Sequence, residues 1–256
     1  MSEKIVMIHG MWGGAWCFDN FKHFFEEKGY QCFTPILRHH NVDPKDIPNP
    51  GLGRTSLLDY AQDLEEYIHK LDDKPIIIGH SMGGLLAQVL GSRELGKAIV
   101  LLTPASPSGI NALKYSVIRS FWSILSKWGF WRNPNIIPFN SAVYSMMHLL
   151  SDSEKKVYYD RLVYESGRAA KEIGFWLFDL KGAAKVDESK VTCPVLVISG
   201  AEDRITPPSV VRKVAKKYKN VSTYKEFENH AHLVIVEPGW EDIADFVSDW
   251  LNQVLE

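Results

Sequence analysis

Cysteine is scarce: Cys17, Cys32 and Cys193 are the only three in 256 residues. The number is odd and no two form a C-x-x-C pair, which excludes a disulfide framework and a zinc ribbon and suits a reducing compartment. Long apolar runs are missing as well. No stretch approaches the roughly 20 residues a helix needs to cross a bilayer. The N-terminus passes from Met1-Ser2-Glu3-Lys4 into strand-like Ile5-Val6-Met7-Ile8, too short for a signal h-region and without a small-residue cleavage site. A cytoplasmic protein without a membrane span is expected. Nor is charge of one sign in excess: 29 Lys and Arg stand against 31 Asp and Glu, a formal net charge of -2. No global basic field therefore argues for nucleic acid or an anionic membrane. The local basic run Arg212, Lys213, Lys216, Lys217 and Lys219 has the spacing of a solvated helix face. Repeats and low-complexity tracts are absent.

What is present is a chain able to bury a large core, with 45% hydrophobic and 12% aromatic residues. Strand and helix signals alternate, the pattern of a mostly parallel sheet covered on both faces. Strands are expected at Ile5 to Ile8, Gln31 to Leu37, Ile76 to Ile78, Ala98 to Leu102, Cys193 to Ser199 and Ser222 to Phe227. Arg38 to Arg54 reads as a long loop, and Thr55-Ser56 as the cap of a helix with Leu58, Ala61, Leu64, Ile68 and Leu71 on one face. The C-terminal helix carries Ile243, Phe246, Val247, Trp250, Leu251 and Val254 on one side. Residues 105–190 break the rhythm. They look helical and hold fourteen of the chain's thirty aromatics, from Tyr115 to Phe178. Residues 1–104 and 191–256 are expected to form the core, with 105–190 inserted as a helical cap. Most of its aromatics are expected to pack the cap's own small core.

The run Lys74 to Gly84 carries the chemistry. A β-branched strand enters Gly79-His80-Ser81-Met82-Gly83, and an apolar helix follows. Gly79 and Gly83 suit a corner where strand and helix backbones come close. Free N–H groups at the start of that helix can meet a developing anion. The plain alternative makes Ser81 the helix N-cap.

Three further motifs accompany this corner in order: His9-Gly10-Met11-Trp12-Gly13-Gly14-Ala15-Trp16 after the first strand, Ser199 to Pro208 around Asp203, and Asn229 to Trp240 around His232. Together they resemble the α/β-hydrolase superfamily, in its small cofactor-free serine esterase and lipase-like branch. The resemblance covers nearly all the chain outside the insertion. It implies a sheet of about six strands in family order 4-3-5-6-7-8, the family's first two strands being missing. It also implies Ser81 as nucleophile, His232 as base and Asp203 as its acid, with the Met11 and Met82 backbones as oxyanion donors. His232 stands five residues before Glu237, as family loops place it, and His230 then becomes a polar loop residue. Glu202 becomes a solvent-facing carboxylate. Trp12, His80 and unspecified cap aromatics are the candidate substrate contacts. His9, His23, His39, His40, His69, His80 and His148 show no metal-ligand spacing, and neither metal nor cofactor is expected.

The expected activity is hydrolysis of small to medium apolar carboxylic esters through an acyl-enzyme. The same groups support thioester, lactone and C–C hydrolysis or perhydrolysis, and related folds include hydroxynitrile lyases and weakly catalytic ligand receptors. A serine at position 81 disfavours the chemistry of dehalogenases and epoxide hydrolases, which needs an aspartate there. The expected partner is a small-molecule ester; monomer and homodimer are both compatible with the sequence.

Overall fold

Alternation along the strands builds two hydrophobic layers on one sheet. The computed structural model describes residues 2–255; Met1 and Glu256, the outer ends of the two expected core segments, lie outside. The six main strands are β1 (Lys4–Ile8), β2 (Gln31–Phe33), β3 (Ile76–His80), β4 (Ala98–Leu102), β7 (Val195–Gly200) and β8 (Ser222–Phe227). All pair in parallel, in the order β2-β1-β3-β4-β7-β8. This matches the expected family order. Successive side chains point to opposite faces. Val6, Ile8, Ile77, Ile99, Leu101, Val195 and Val197 therefore meet helices α2 (Leu57–Ile68), α3 (Met82–Ser92) and α8 (Pro208–Lys217). Ile5, Met7, Ile76, Ile78, Val100, Leu102, Leu196 and Ile198 meet α1 (Asp19–Glu27) and α9 (Trp240–Leu255).

β2 stops at Phe33, short of the expected Leu37. Pro35 has no N–H to extend a ladder, and the Leu37 amide donates instead to His9 Nε2 at 3.1 Å. The start of α2 follows expectation: Ser56 is its N-cap, closed into a capping box by Asp59.

Residues 105–190 contain α4 (Tyr115–Leu125), α5 (Phe139–Ser145), α6 (Asp152–Tyr159), α7 (Gly167–Gly174) and an antiparallel ribbon of β5 (Pro134–Asn135) and β6 (Glu165–Ser166). Ile124, Phe130, Ile137, Ala142, Met146, Met147, Leu150 and Leu162 form a third apolar cluster with Trp12 and Ile205. Polar anchors fasten the segment to the rest. Glu165 accepts from Tyr60 Oη at 2.8 Å and pairs with His40 Nε2 at 3.0 Å, both ion-pair partners buried. Glu172 accepts from Ser56 Oγ and the Leu57 amide, each at 2.8 Å. Among the described residues no helix is long and apolar enough to cross a membrane.

Candidate active site

Ser81 occupies a strained corner. Its φ of 56° and ψ of -119° are sparsely populated for a residue with a Cβ and persist only where the surroundings enforce them. They do: the Ser81 amide donates to Leu102 O at 3.0 Å, and its carbonyl accepts from Gly84 at 2.9 Å and Ala105 at 2.9 Å. The flanking glycines permit the close approach. A Cβ on Gly83 would lie 2.0 Å from Ile8 O, and one on Gly79 would lie 2.2 Å from Gly83 O. Ser81 precedes α3 but makes no side-chain cap bond. The simple N-cap reading therefore fails, because the hydroxyl is engaged elsewhere.

It is engaged by His232, whose Nε2 lies 2.9 Å from Ser81 Oγ. On the other side of the ring, Nδ1 lies 2.8 Å from Asp203 Oδ2. Asp203 is held in turn: Oδ1 accepts from the Ile205 and Thr206 amides at 2.7 and 2.8 Å, and Oδ2 accepts from Thr206 Oγ1 at 2.7 Å. Burial pushes the Asp203 carboxyl up, but the charge and hydrogen bond of His232 and the Thr206 donors outweigh it, leaving the pKa below the usual value. The acid is thus a carboxylate that orients an imidazole aimed at a serine hydroxyl.

The histidine loop is pinned from three sides. His80 Nε2–H donates to His232 O at 2.8 Å, and Thr103 Oγ1 donates to the same carbonyl at 3.0 Å. The buried Glu237 carboxylate accepts from the Ala231 and Leu233 amides at 2.7 and 2.9 Å. Burial, then the charge of His232, holds the His80 pKa down to about 3, so His80 is a neutral donor. His9 is also neutral, lowered to about 3 chiefly by burial. Its Nδ1–H donates to Gly10 O at 2.9 Å.

Met11 and Met82 bracket Ser81, and neither amide has a hydrogen-bond partner among the described residues. Trp12 is buried in a left-handed conformation with φ 62°, its Nε1–H donating to Asn135 O at 3.2 Å. Two cavities meet at Ser81. A recess of about 40 Å³ is lined by His232, His80, Trp12, Cys17, Met146, Met147, Tyr158 and Leu162. A broader apolar cavity of about 250 Å³ runs past Met82 and Ile110 to Leu113, Val117, Ile118, Ile173, Trp176 and Phe178. Phe121 lines both. Of the candidate cap aromatics, Phe121, Tyr158, Phe175, Trp176 and Phe178 reach these cavities, whereas Tyr115, Trp122 and Trp128 stand in solvent.

Glu202, beside Asp203, points away: its carboxylate is 48% exposed and lies 3.9 Å from His148. His230 is buried, 3.4 Å from Glu237. Thr206, Thr103 and Glu237 were not among the candidates from sequence, and neither were Met146 and Met147. Asp203 and Thr206 stand three apart, a spacing at which a carboxylate commonly takes up backbone N–H groups; this is the one local signal that could have found Thr206.

The alpha/beta hydrolase family model matches residues 5–246, and the chain belongs to that family. Methylesterase 7 of Arabidopsis thaliana is 34% identical over 124 residues, 44% of this chain and 44% of its own length. The matched region thus spans about half the length of the plant methylesterases. Pimeloyl-[acyl-carrier protein] methyl ester esterase of Legionella pneumophila (strain Paris) is 25% identical over 239 residues, 90% of this chain and 87% of the relative. Among solved structures, tomato methylketone synthase I complexed with 2-tridecanone superposes with a TM-score of 0.74 at 16% identity, covering 99% of each chain. At that identity the likeness speaks for the fold.

Proposed function

We propose that the protein is a serine hydrolase of carboxylic esters. The observation that carries this reading is the hydrogen-bonded chain from Ser81 Oγ through His232 to Asp203, at 2.9 and 2.8 Å, on a strained corner. An alcohol is a weak nucleophile at neutral pH. His232 Nε2 takes the Ser81 proton as Oγ attacks the ester carbonyl carbon, and the Met11 and Met82 N–H groups receive the oxyanion. Collapse breaks the C–O bond to the alcohol, which leaves with the proton from His232. Water then gives its proton to His232 and attacks the acyl-enzyme; collapse returns that proton to Ser81 and frees the acid. Asp203 stays ionised throughout, fixing the ring and stabilising the imidazolium.

Residues 105–190 act as a cap that shapes the substrate. The cavities suit an ester with unequal halves, one group short enough for the recess and the other an apolar chain in the broad cavity. Relatives named as methyl ester esterases and methylesterases favour the short group as the alcohol. Cys17 and Cys32 are unpaired, with thiols pushed up to about 12 chiefly by burial, which suits a reducing cytoplasm.

The test is a panel of esters varying acyl and alcohol length separately, with thioesters and lactones of matched length. Methyl esters of medium apolar acids are expected to give the highest kcat/KM. Ile173→Trp, which fills the broad cavity, is expected to raise KM for long acyl chains and spare acetate esters. No turnover of any ester would overturn the proposed activity, and an unchanged chain-length profile in Ile173→Trp would overturn the cavity assignment.

A further inference from the structure

Helix α4 carries one wide apolar arc, and the chain covers only part of it. Val117, Phe121, Ile124 and Leu125 turn inward to the cap cluster and the broad cavity. Tyr115, Ile118 and Trp122, spaced three and four apart, form a second stripe in solvent, with Trp122 64% exposed. Beyond the helix Trp128 is 92% exposed, and Leu177, Phe178 and Leu180 are exposed on the other segment bordering the cavity. Exposed apolar side chains gathered in this way mark a surface that associates with something.

Charge indicates with what. From Ala105 to Ser151 the sequence has no Asp or Glu, while Lys114, Arg119, Lys127 and Arg132 are all exposed. None of the four enters an ion pair among the described residues. Arg119 lies over the Tyr144 ring at 3.8 Å. Lys181 and Lys185 are exposed on the facing segment. The acid there, Asp179, is occupied by the Lys181 and Ala183 amides. Trp and Tyr among unpaired cations make a surface suited to the headgroup level of a bilayer, rings in the acyl boundary and cations at anionic phosphates. Leu113, Ile118, Leu177 and Phe178 belong both to this surface and to the lining of the cavity that ends at Ser81.

From these observations we infer that the α4 face docks on an anionic lipid surface, so that an apolar ester enters the broad cavity from the lipid layer. The entry route rests on the proposed chemistry at Ser81; the docking does not. The continuity of exposed patch and apolar cavity favours lipid over an acidic protein, since an apolar chain can pass from a lipid layer into the cavity.

Sedimentation with phosphatidylcholine vesicles, with and without phosphatidylglycerol, tests the docking. The protein is expected to bind the vesicles containing phosphatidylglycerol, less tightly as salt rises. The triple variant Lys114→Gln, Arg119→Gln, Lys127→Gln is expected to bind roughly a hundred-fold more weakly. Trp122→Ala with Trp128→Ala is expected to lose binding as well. Both variants should hydrolyse a soluble short-chain ester at the wild-type rate, because none of these side chains lines either cavity at Ser81. Absence of vesicle binding overturns the inference, including the case where only an acidic protein is bound. So does binding that both variants retain. Vesicle binding by a protein inert on every soluble ester would leave the docking standing and remove the chemistry proposed at Ser81.

Discussion

Replacing Asp203 by Asn keeps the shape of the site and reverses its proton inventory. In the native site, Oδ1 is the target of two backbone N–H groups at 2.7 and 2.8 Å, while Oδ2 faces His232 Nδ1 at 2.8 Å. An Asn amide has one carbonyl oxygen, and the two backbone donors claim it. The NH2 group is then left facing Nδ1, where it can only donate. His232 must move its proton to Nε2, the nitrogen 2.9 Å from Ser81 Oγ, and can no longer accept the serine proton. The opposite amide orientation sets NH2 against two buried N–H groups. Triad enzymes with the wrong tautomer lose about 10⁴ in kcat, equivalent to about 5 kcal/mol of barrier. The expected outcome is a fall of that order in kcat with KM little changed, measured by steady-state hydrolysis on protein whose melting temperature and circular dichroism show it folded. Glu202 cannot substitute, since its carboxylate lies toward His148; Glu202→Gln is expected to keep near wild-type kcat. A folded Asp203→Asn variant within ten-fold of wild type would refute the role assigned to the acid.

Three other outcomes follow from the same geometry. Gly83→Ala places a Cβ 2.0 Å from Ile8 O, and its expected cost of more than about 3 kcal/mol should appear as loss of soluble protein or a lowered denaturation midpoint. Gly29→Ala, with nothing within 4 Å of the new Cβ but a φ of 88°, should cost only about 1 kcal/mol, measured by the same denaturation. The His40–Glu165 pair should make stability depend on pH. For His40, burial opposes the charged ring but the Glu165 charge and hydrogen bond outweigh it, raising the pKa above 6.5; its contribution is complete below 6.5 and lost as pH rises through the raised value. For Glu165, burial is outweighed by His40 and the pKa lies below 4.5; its contribution is complete above 4.5 and lost as pH falls through the lowered value. Glu165→Gln should therefore destabilise most between 4.5 and 6.5, by about 3 kcal/mol, and a pH-independent difference in chemical denaturation would contradict the pairing.

The sheet was readable because its signal is local. Ile76 to Ile78 and Val195 to Ile198 are continuous apolar runs, as strands buried on both faces require. The order of the strands came from the resemblance, since periodicity carries no information about neighbours. Ser81 stood out for a similar reason, in a corner whose shape its own neighbours determine, whereas Asp203 and His232 were nominated by the resemblance. What escaped depends on distant pairings: His40 meets Glu165 across 125 positions, and Trp12, Met146 and Leu162 line one recess with Ser81 although they lie far apart in the sequence. The end of β2 was misjudged because apolar Ile36 and Leu37 outweighed Pro35 between them and Phe33. Thr206 was passed over and Glu237 served only as a spacing mark, because their work is to bond backbone and side-chain atoms of the two loops, and polar loop residues doing that look like any others.

The central claim is that Ser81 Oγ becomes covalently acylated. Incubation with a fluorophosphonate probe, followed by intact mass and peptide mapping, tests it most directly. One adduct per chain on the peptide containing Ser81, abolished in Ser81→Ala and strongly slowed in His232→Ala, is the predicted result. Turnover of an ester by protein that takes no adduct at Ser81, or that retains its rate in Ser81→Ala, would contradict it.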